Sequence, residues 1–285
     1  MKNSKIPHNF GGLPGKFSDY STSKIAILPV PFDKTSTWIK GSHMGPEAII
    51  NASKNMELYD IETDSEVYRR GIHTLQEIVT NTSSSLISST CKRVNKLLND
   101  NKFVVTLGGE HTVSLGPIRA HAGFFDDISI LHLDAHSDMR RSYEGLKYSH
   151  ACVMARTKEI TDNIVSVGIR SMDSSELPDI DRRRVFYASE IHRRSDWIME
   201  IVSILTENVY ITIDLDVFDP SIMPSTGTPE PGGLGWYQII DLFENVSKKK
   251  NVVGFDVVEL CPSENRAPDF LASKLIYKLL SLSFA

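Results

Sequence analysis

The chain has 285 residues, 41% of them apolar, enough to bury a sizeable core in one large α/β unit. Its 31 basic and 36 acidic residues leave a net charge of −5, which gives no reason to expect nucleic acid or an anionic membrane as partner and suits a cationic small molecule. Three cysteines (Cys91, Cys152 and Cys261) without a CxxC pair exclude a thiolate zinc site and point to a reducing compartment.

The first twenty residues carry no apolar core after their lysines and do not read as a signal peptide. No run approaches the roughly 18 apolar residues of a membrane span, so a cytoplasmic location is expected. In chain order, the pattern predicts a strand at 24–30, a helix at 46–58, a weaker strand at 71–75 and a helix at 84–100. A strand at 103–108, a helix at 113–122 and strands at 128–134 and 163–169 follow. The rest reads as a weaker strand at 183–188, a helix at 196–206, a strand at 209–216, a helix at 236–249, a strand at 252–259 and a helix at 269–282. Strands apolar on both faces and separated by helices predict a parallel sheet covered on both sides, a three-layer α/β/α domain spanning 1–285. The Pro/Gly-dense segment 219–235 lies between a strand and a helix and reads as an active-site loop.

In such sheets ligands bind beyond the carboxyl ends of the strands, and acidic and imidazole side chains gather there. FVVTLGG runs into Glu110 and His111, ISILHLD into Asp134, His136 and Asp138, VYITI into Asp214 and Asp216, and VVGFDVV ends at Glu259. The alternate spacing of D-x-H-x-D lets an extended backbone turn three ligands to one point. Four carboxylates and two imidazoles without sulfur favour hard to borderline ions such as Mn²⁺, and their charge balances two divalent ions. Without metal, such a cluster would have to take up protons.

The segments GGEHTVSLG (108–116), DAHSD (134–138), DLDVFDP (214–220), TGTPEPGGL (226–234) and DVVELCP (256–262) occur in the order found in the ureohydrolase family of arginases and agmatinases. The chain resembles that family from about Gly108 to Pro262, and PVPFDKTSTWIKGSHMGPEAI (29–49) resembles its early strand, loop and helix. The resemblance implies a three-layer fold around an eight-stranded parallel sheet and two Mn²⁺ per subunit. His111, Asp134 and Asp138 would hold one ion with Asp216 shared, and His136 and Asp214, with Asp134 and Asp216, the other. It further implies that Asp138 moves a proton to the leaving amine, that Glu259 pairs with the substrate guanidinium and that His150 shuttles protons to solvent. Thr228 is a candidate contact at the reacting end. Family members are usually trimers or hexamers, so a homo-oligomer is expected.

The stretch after DAHSD, Met139 to Gly145, lacks the Asn/Ser pattern with which arginases hold an α-carboxylate. This favours agmatine, cleaved to putrescine and urea for polyamine synthesis; PEPGG at 229–233 points the same way. Arg140 and Arg141 cut against it unless turned away or neutralised, for which Glu144 is the nearest candidate in sequence. Arg140 would suit 4-guanidinobutanoate, while N1-aminopropylagmatine and arginine complete the alternatives. Outside the family, a single-zinc deacetylase-like amide hydrolase uses a related Asp-His-Asp set. Bland readings stand elsewhere: Asp219 before Pro220 as a turn residue, His132 as a core histidine, and Cys152 and Cys261 as packing thiols.

Overall fold

The computed structural model describes residues 6–285. Eight strands form one sheet in the order β2-β1-β3-β8-β7-β4-β5-β6, every neighbouring pair parallel. They are β1 (Ile25–Val30), β2 (Ile72–Thr74), β3 (Phe103–Gly108), β4 (Ile128–Leu133), β5 (Ile164–Ile169), β6 (Val185–Tyr187), β7 (Asn208–Asp214) and β8 (Asn251–Val258). Both weak strand expectations are met at the two edges, where three-residue strands suffice.

The strands alternate between two cores. In β1, Ile25 and Ile27 join one cluster while Ala26, Leu28 and Val30 join the other, which is why the strand reads as a continuous apolar run. Helices α1 (Gly45–Ser53), α6 (Trp197–Ile204), α7 (Trp236–Lys249) and α8 (Ala267–Ser283) cover the first face. On the second lie α2 (Ser83–Asn99), α3 (Leu115–Phe124) and the short α4 (Val153–Thr157), while α5 (Ala188–Ile191) follows β6. The inner stripe of α7 is Ile239, Leu242, Phe243 and Val246, the three- and four-residue spacing of an amphipathic helix. Helix α2 opens on Thr82, whose hydroxyl accepts from Ser85 N at 3.2 Å. Among the described residues, no helix is long and apolar enough to cross a membrane.

Several elements end earlier than their pattern predicts. The helix expected over 46–58 stops at Ser53, whose hydroxyl donates to Ile50 O and accepts from Gly11 N, both at 2.8 Å. Strands β4 and β7 stop at Leu133 and Asp214, because Asp134 and Asp214 each accept a backbone N–H from the residue two places on.

His121 in α3 is fully buried and packs at a tilt against the Tyr210 ring; Nδ1 donates to Pro117 O at 2.8 Å. Burial depresses its imidazole to about 4. A depressed histidine costs nothing above its unfolded value near 6.5, and stability is lost as pH falls from there to about 4. The expected loss is roughly 3 kcal/mol. Urea denaturation across that range should show a shallower pH dependence in His121→Gln than in the wild type; equal slopes would contradict the assignment.

Candidate active site

The ends of β3, β8, β7 and β4, adjacent in the sheet, deliver the acidic and imidazole groups to one place. Gly109 permits this at the end of β3: a Cβ there would lie 2.1 Å from Phe32 O, so only glycine lets the chain pass while Glu110 N donates to Phe32 O at 2.7 Å.

Three of the four aspartates of the cluster are each anchored by one oxygen. Asp134 Oδ1 accepts from His136 N at 2.6 Å, Asp214 Oδ1 from Asp216 N at 2.9 Å and Asp216 Oδ1 from Ala135 N at 2.9 Å. The second oxygens converge. His111 Nδ1 stands 3.0 Å from both Asp134 Oδ2 and Asp138 Oδ2 and 3.6 Å from Asp214 Oδ2. His136 Nδ1 stands 2.9 Å from Asp216 Oδ2 and 3.6 Å from Asp134 Oδ1. Asp134 therefore faces both histidines. On the His111 side Asp214 Oδ2 also comes within reach, while Asp216 pairs with His136. The D-x-H-x-D run lies beyond β4, and its extended course ends at Asp138, which adopts φ 50°, a left-handed conformation that is rare outside glycine.

The tautomer of His111 follows from its outer partners. Asp256, fully buried, accepts from Ser114 Oγ (2.8 Å), Tyr210 OH (2.7 Å) and Thr212 Oγ1 (2.7 Å). With the Thr212 proton committed there, its oxygen accepts from His111 Nε2 at 3.0 Å. The Nδ1 lone pair is thus left facing three carboxylates, with no hydrogen-bond partner of its own. A proton or a metal cation must lie between them, and an all-nitrogen-and-oxygen donor set fits a divalent ion of the harder kind. His132 Nε2 lies 2.9 Å from Asp134 Oδ2, and Nδ1 lies 3.0 Å from Ser166 Oγ. It is the satisfied core histidine expected, and it also braces a member of the cluster.

Burial raises Asp214, Asp216 and Glu259 above the usual carboxylate range, helped by their charged neighbours. Burial alone would lower His111 and His136, but the facing carboxylates outweigh it and hold both imidazoles above their ordinary value. A divalent ion binding to this cluster must therefore displace protons. Affinity should rise with pH, and calorimetry with Mn²⁺ in buffers of different ionisation enthalpy should detect proton release between about pH 6 and 8. A pH-independent affinity without release would argue against ligation by this cluster.

The cluster forms the floor of a cavity of about 270 Å³, which His150, Thr228, Glu259 and Arg140 also line. Glu259, just past β8 with φ 67°, accepts from His111 N at 2.8 Å through Oε1. Arg140 does not present a free charge. Its NH2 and Nε lie 3.3 Å from Asp173 Oδ2 and 3.7 Å from Glu176 Oε1, and its guanidinium sits over the Tyr143 ring. These partners, not Glu144, neutralise it; they follow β5 and are remote in sequence. Arg141 turns outward to Asp179. Asp219 is a turn residue, accepting from Ser221, Gly232 and Gly233 N–H groups.

Two residues the sequence reading missed support the floor. Arg170 donates to Asp216 O at 2.6 Å and Glu230 O at 2.8 Å, tying the 216–230 loop to β5. Glu176 accepts from Met139 N and Asp173 N, both at 2.9 Å, and from Ser137 Oγ, fixing the turn that carries Asp138. Neither lies in a recognisable motif, so only the fold reveals them.

A sequence model of the arginase family matches residues 23–281. The chain belongs to the arginase family. Relatives of this arginase-family chain include an N1-aminopropylagmatine ureohydrolase from Synechocystis, 35% identical over 96% of this chain and 95% of the relative. An agmatinase from Pyrococcus horikoshii is 31% identical over 93% of this chain and 94% of its own. Among solved structures, the agmatine ureohydrolase of Thermoplasma volcanium superposes with a TM-score of 0.88 at 31% identity, covering 98% of this chain and 94% of that one. The eight-stranded sheet is thus the arginase-type fold, and the chain is a hydrolase of the ureohydrolase kind.

Proposed function

We propose that this ureohydrolase uses two Mn²⁺ ions to split agmatine into putrescine and urea. The supporting observation is a buried, cation-seeking His/Asp cluster on the floor of the same cavity that Glu259 lines. His111, Asp134, Asp138 and Asp214 would hold one ion, and His136, Asp134, Asp214 and Asp216 the other. When bound, such ions acidify water and polarise the guanidinium.

The chain's own residues do the rest. The Glu259 carboxylate pairs with two guanidinium N–H groups and aims the central carbon at the cluster. Asp138 accepts a proton from the attacking water and delivers it to the nitrogen that leaves. The water oxygen ends on the carbon of urea, the C–N bond breaks, and the second water proton, lost as the urea C=O bond forms, also reaches the departing nitrogen, so the amine leaves as an ammonium. His150 exchanges protons between the cavity and solvent.

The tail reading rests on charge. Among the described residues, Arg140 is the one arginine lining the cavity; it is held by Asp173 and Glu176, which leaves no unpaired arginine or lysine there for a carboxylate tail. That favours a cationic tail over 4-guanidinobutanoate or arginine. N1-aminopropylagmatine is a second reading: Trp38 and Ile39, both exposed, line the cavity, and an aromatic face can take a further ammonium group. The Synechocystis relative, an N1-aminopropylagmatine ureohydrolase, adds weight to it.

Urea release by manganese-loaded protein should be compared on agmatine, N1-aminopropylagmatine, 4-guanidinobutanoate and arginine. Preference for agmatine supports the first reading, and preference for the aminopropyl compound the second. Preference for either carboxylate compound would overturn both. One metal per chain with no urea from any of the four would shift the reading to a single-metal amide hydrolase.

A further inference from the structure

Behind His150 lies a buried carboxylate that the reaction above does not use. Glu110, fully buried at the end of β3, accepts from Thr35 N at 2.7 Å and Ser36 Oγ at 3.2 Å on one oxygen. Its other oxygen accepts from Thr35 Oγ1 at 2.6 Å and Thr112 Oγ1 at 2.7 Å. Four donors occupy both oxygens, so Glu110 acts as an acceptor only.

This arrangement decides where the single hydroxyl proton of Thr35 goes. It is spent on Glu110, at 2.6 Å, and Thr112 Oγ1 is more distant at 3.4 Å. The Thr35 oxygen is then left with lone pairs, and two groups of one residue meet it: His150 N at 3.1 Å and His150 Nδ1 at 3.2 Å. An oxygen without a proton to give can only accept, so Nδ1 must carry the hydrogen. The unprotonated nitrogen is Nε2, on the other edge of a ring that lines the cavity. Tyr143 packs edge-on against the imidazole, with ring centroids 5.6 Å apart, and limits its rotation.

We propose that Thr35, backed by Glu110, is a positioning residue that holds His150 as the Nδ1–H tautomer and so keeps Nε2 free to take protons from the reaction. The inference rests on the shuttle role given to His150 above. The logic is that of an orienting partner behind a working imidazole: it touches neither substrate nor metal, and acts only through the ring. Thr35 belongs to the segment between β1 and α1, and Glu110 lies two residues beyond β3, so two neighbouring strand ends cooperate in it.

Thr35→Val keeps the shape and removes the hydroxyl. We expect kcat to fall by about tenfold to a hundredfold with KM nearly unchanged, as for outer partners of functional histidines. Thr35→Ser should restore most of the loss. In a His150→Asn background, Thr35→Val should cost nothing further, because its only route to the reaction is gone. Nitrogen-15 NMR of labelled histidines, with His150→Asn identifying the signal, should show the Nδ1–H form in the wild type and a mixture in Thr35→Val. It is best recorded with a diamagnetic divalent ion bound, at a pH where the ring is neutral. An Nε2–H wild type, or an equal loss from Thr35→Val in both backgrounds, would overturn the inference. If the wild type released no urea from any guanidino compound, the functional reading would fail, while the tautomer measurement would still decide the role of Thr35.

Discussion

Asp138→Asn should abolish urea release while leaving the protein folded. The substitution is nearly isosteric, and asparagine tolerates the left-handed backbone that Asp138 adopts better than other residues do. The turn around it is held independently by Glu176, through Met139 N and Ser137 Oγ. What changes is charge and basicity. An amide cannot receive the proton of an attacking water, and positioned proton transfer contributes on the order of a hundredfold to ten-thousandfold. One acidic neighbour of His111 Nδ1 is also lost, at 3.0 Å, so one ion should bind more weakly. We therefore expect kcat to fall by about a thousandfold or more at saturating Mn²⁺, with an unchanged circular-dichroism spectrum. Activity within tenfold of the wild type would remove Asp138 from the chemistry.

Glu259→Gln should weaken kcat/KM by about a hundredfold or more, from the loss of a charge-assisted pair worth roughly 3 kcal/mol. The amide oxygen of glutamine can still accept from His111 N, as Glu259 Oε1 does at 2.8 Å, so the local backbone has reason to stay in place. The amide nitrogen, however, presents donors to a guanidinium that is itself all donors. Burial, and then the nearby charge of Glu110, hold the Glu259 carboxyl above its usual range. A cationic substrate is the partner that would favour its ionised form. Full activity in Glu259→Gln would mean that the guanidinium binds elsewhere in the cavity.

The sequence reads well where chemistry is written into single segments. All eight strands and six of the eight helices are legible, because strands buried on both faces and helices buried on one carry periods of their own. The cluster is legible too, since His111, Asp134, His136, Asp138, Asp214 and Asp216 sit at strand ends and parallel strands end on one side. What stays hidden is adjacency between segments. Arg140 meets Asp173 and Glu176 only because β4 and β5 are neighbours, and Asp214 comes within reach of His111 while Asp216 pairs with His136 because the Asp214 and Asp216 carboxylates are anchored differently. Thr35 and Glu110 are 75 residues apart, and neither residue type marks the other.

Strand β8 is the last to be synthesised, yet it lies in the middle of the sheet, between β3 and β7. Until it leaves the ribosome, β2-β1-β3 and β7-β4-β5-β6 have no shared edge, and His111 lacks Glu259, 148 residues downstream. A growing chain therefore cannot complete the site early. Metal would be taken up by a finished molecule rather than a nascent one, and a chain truncated before β8 would be two half-sheets with exposed edges, a substrate for chaperones and proteases rather than a weak enzyme.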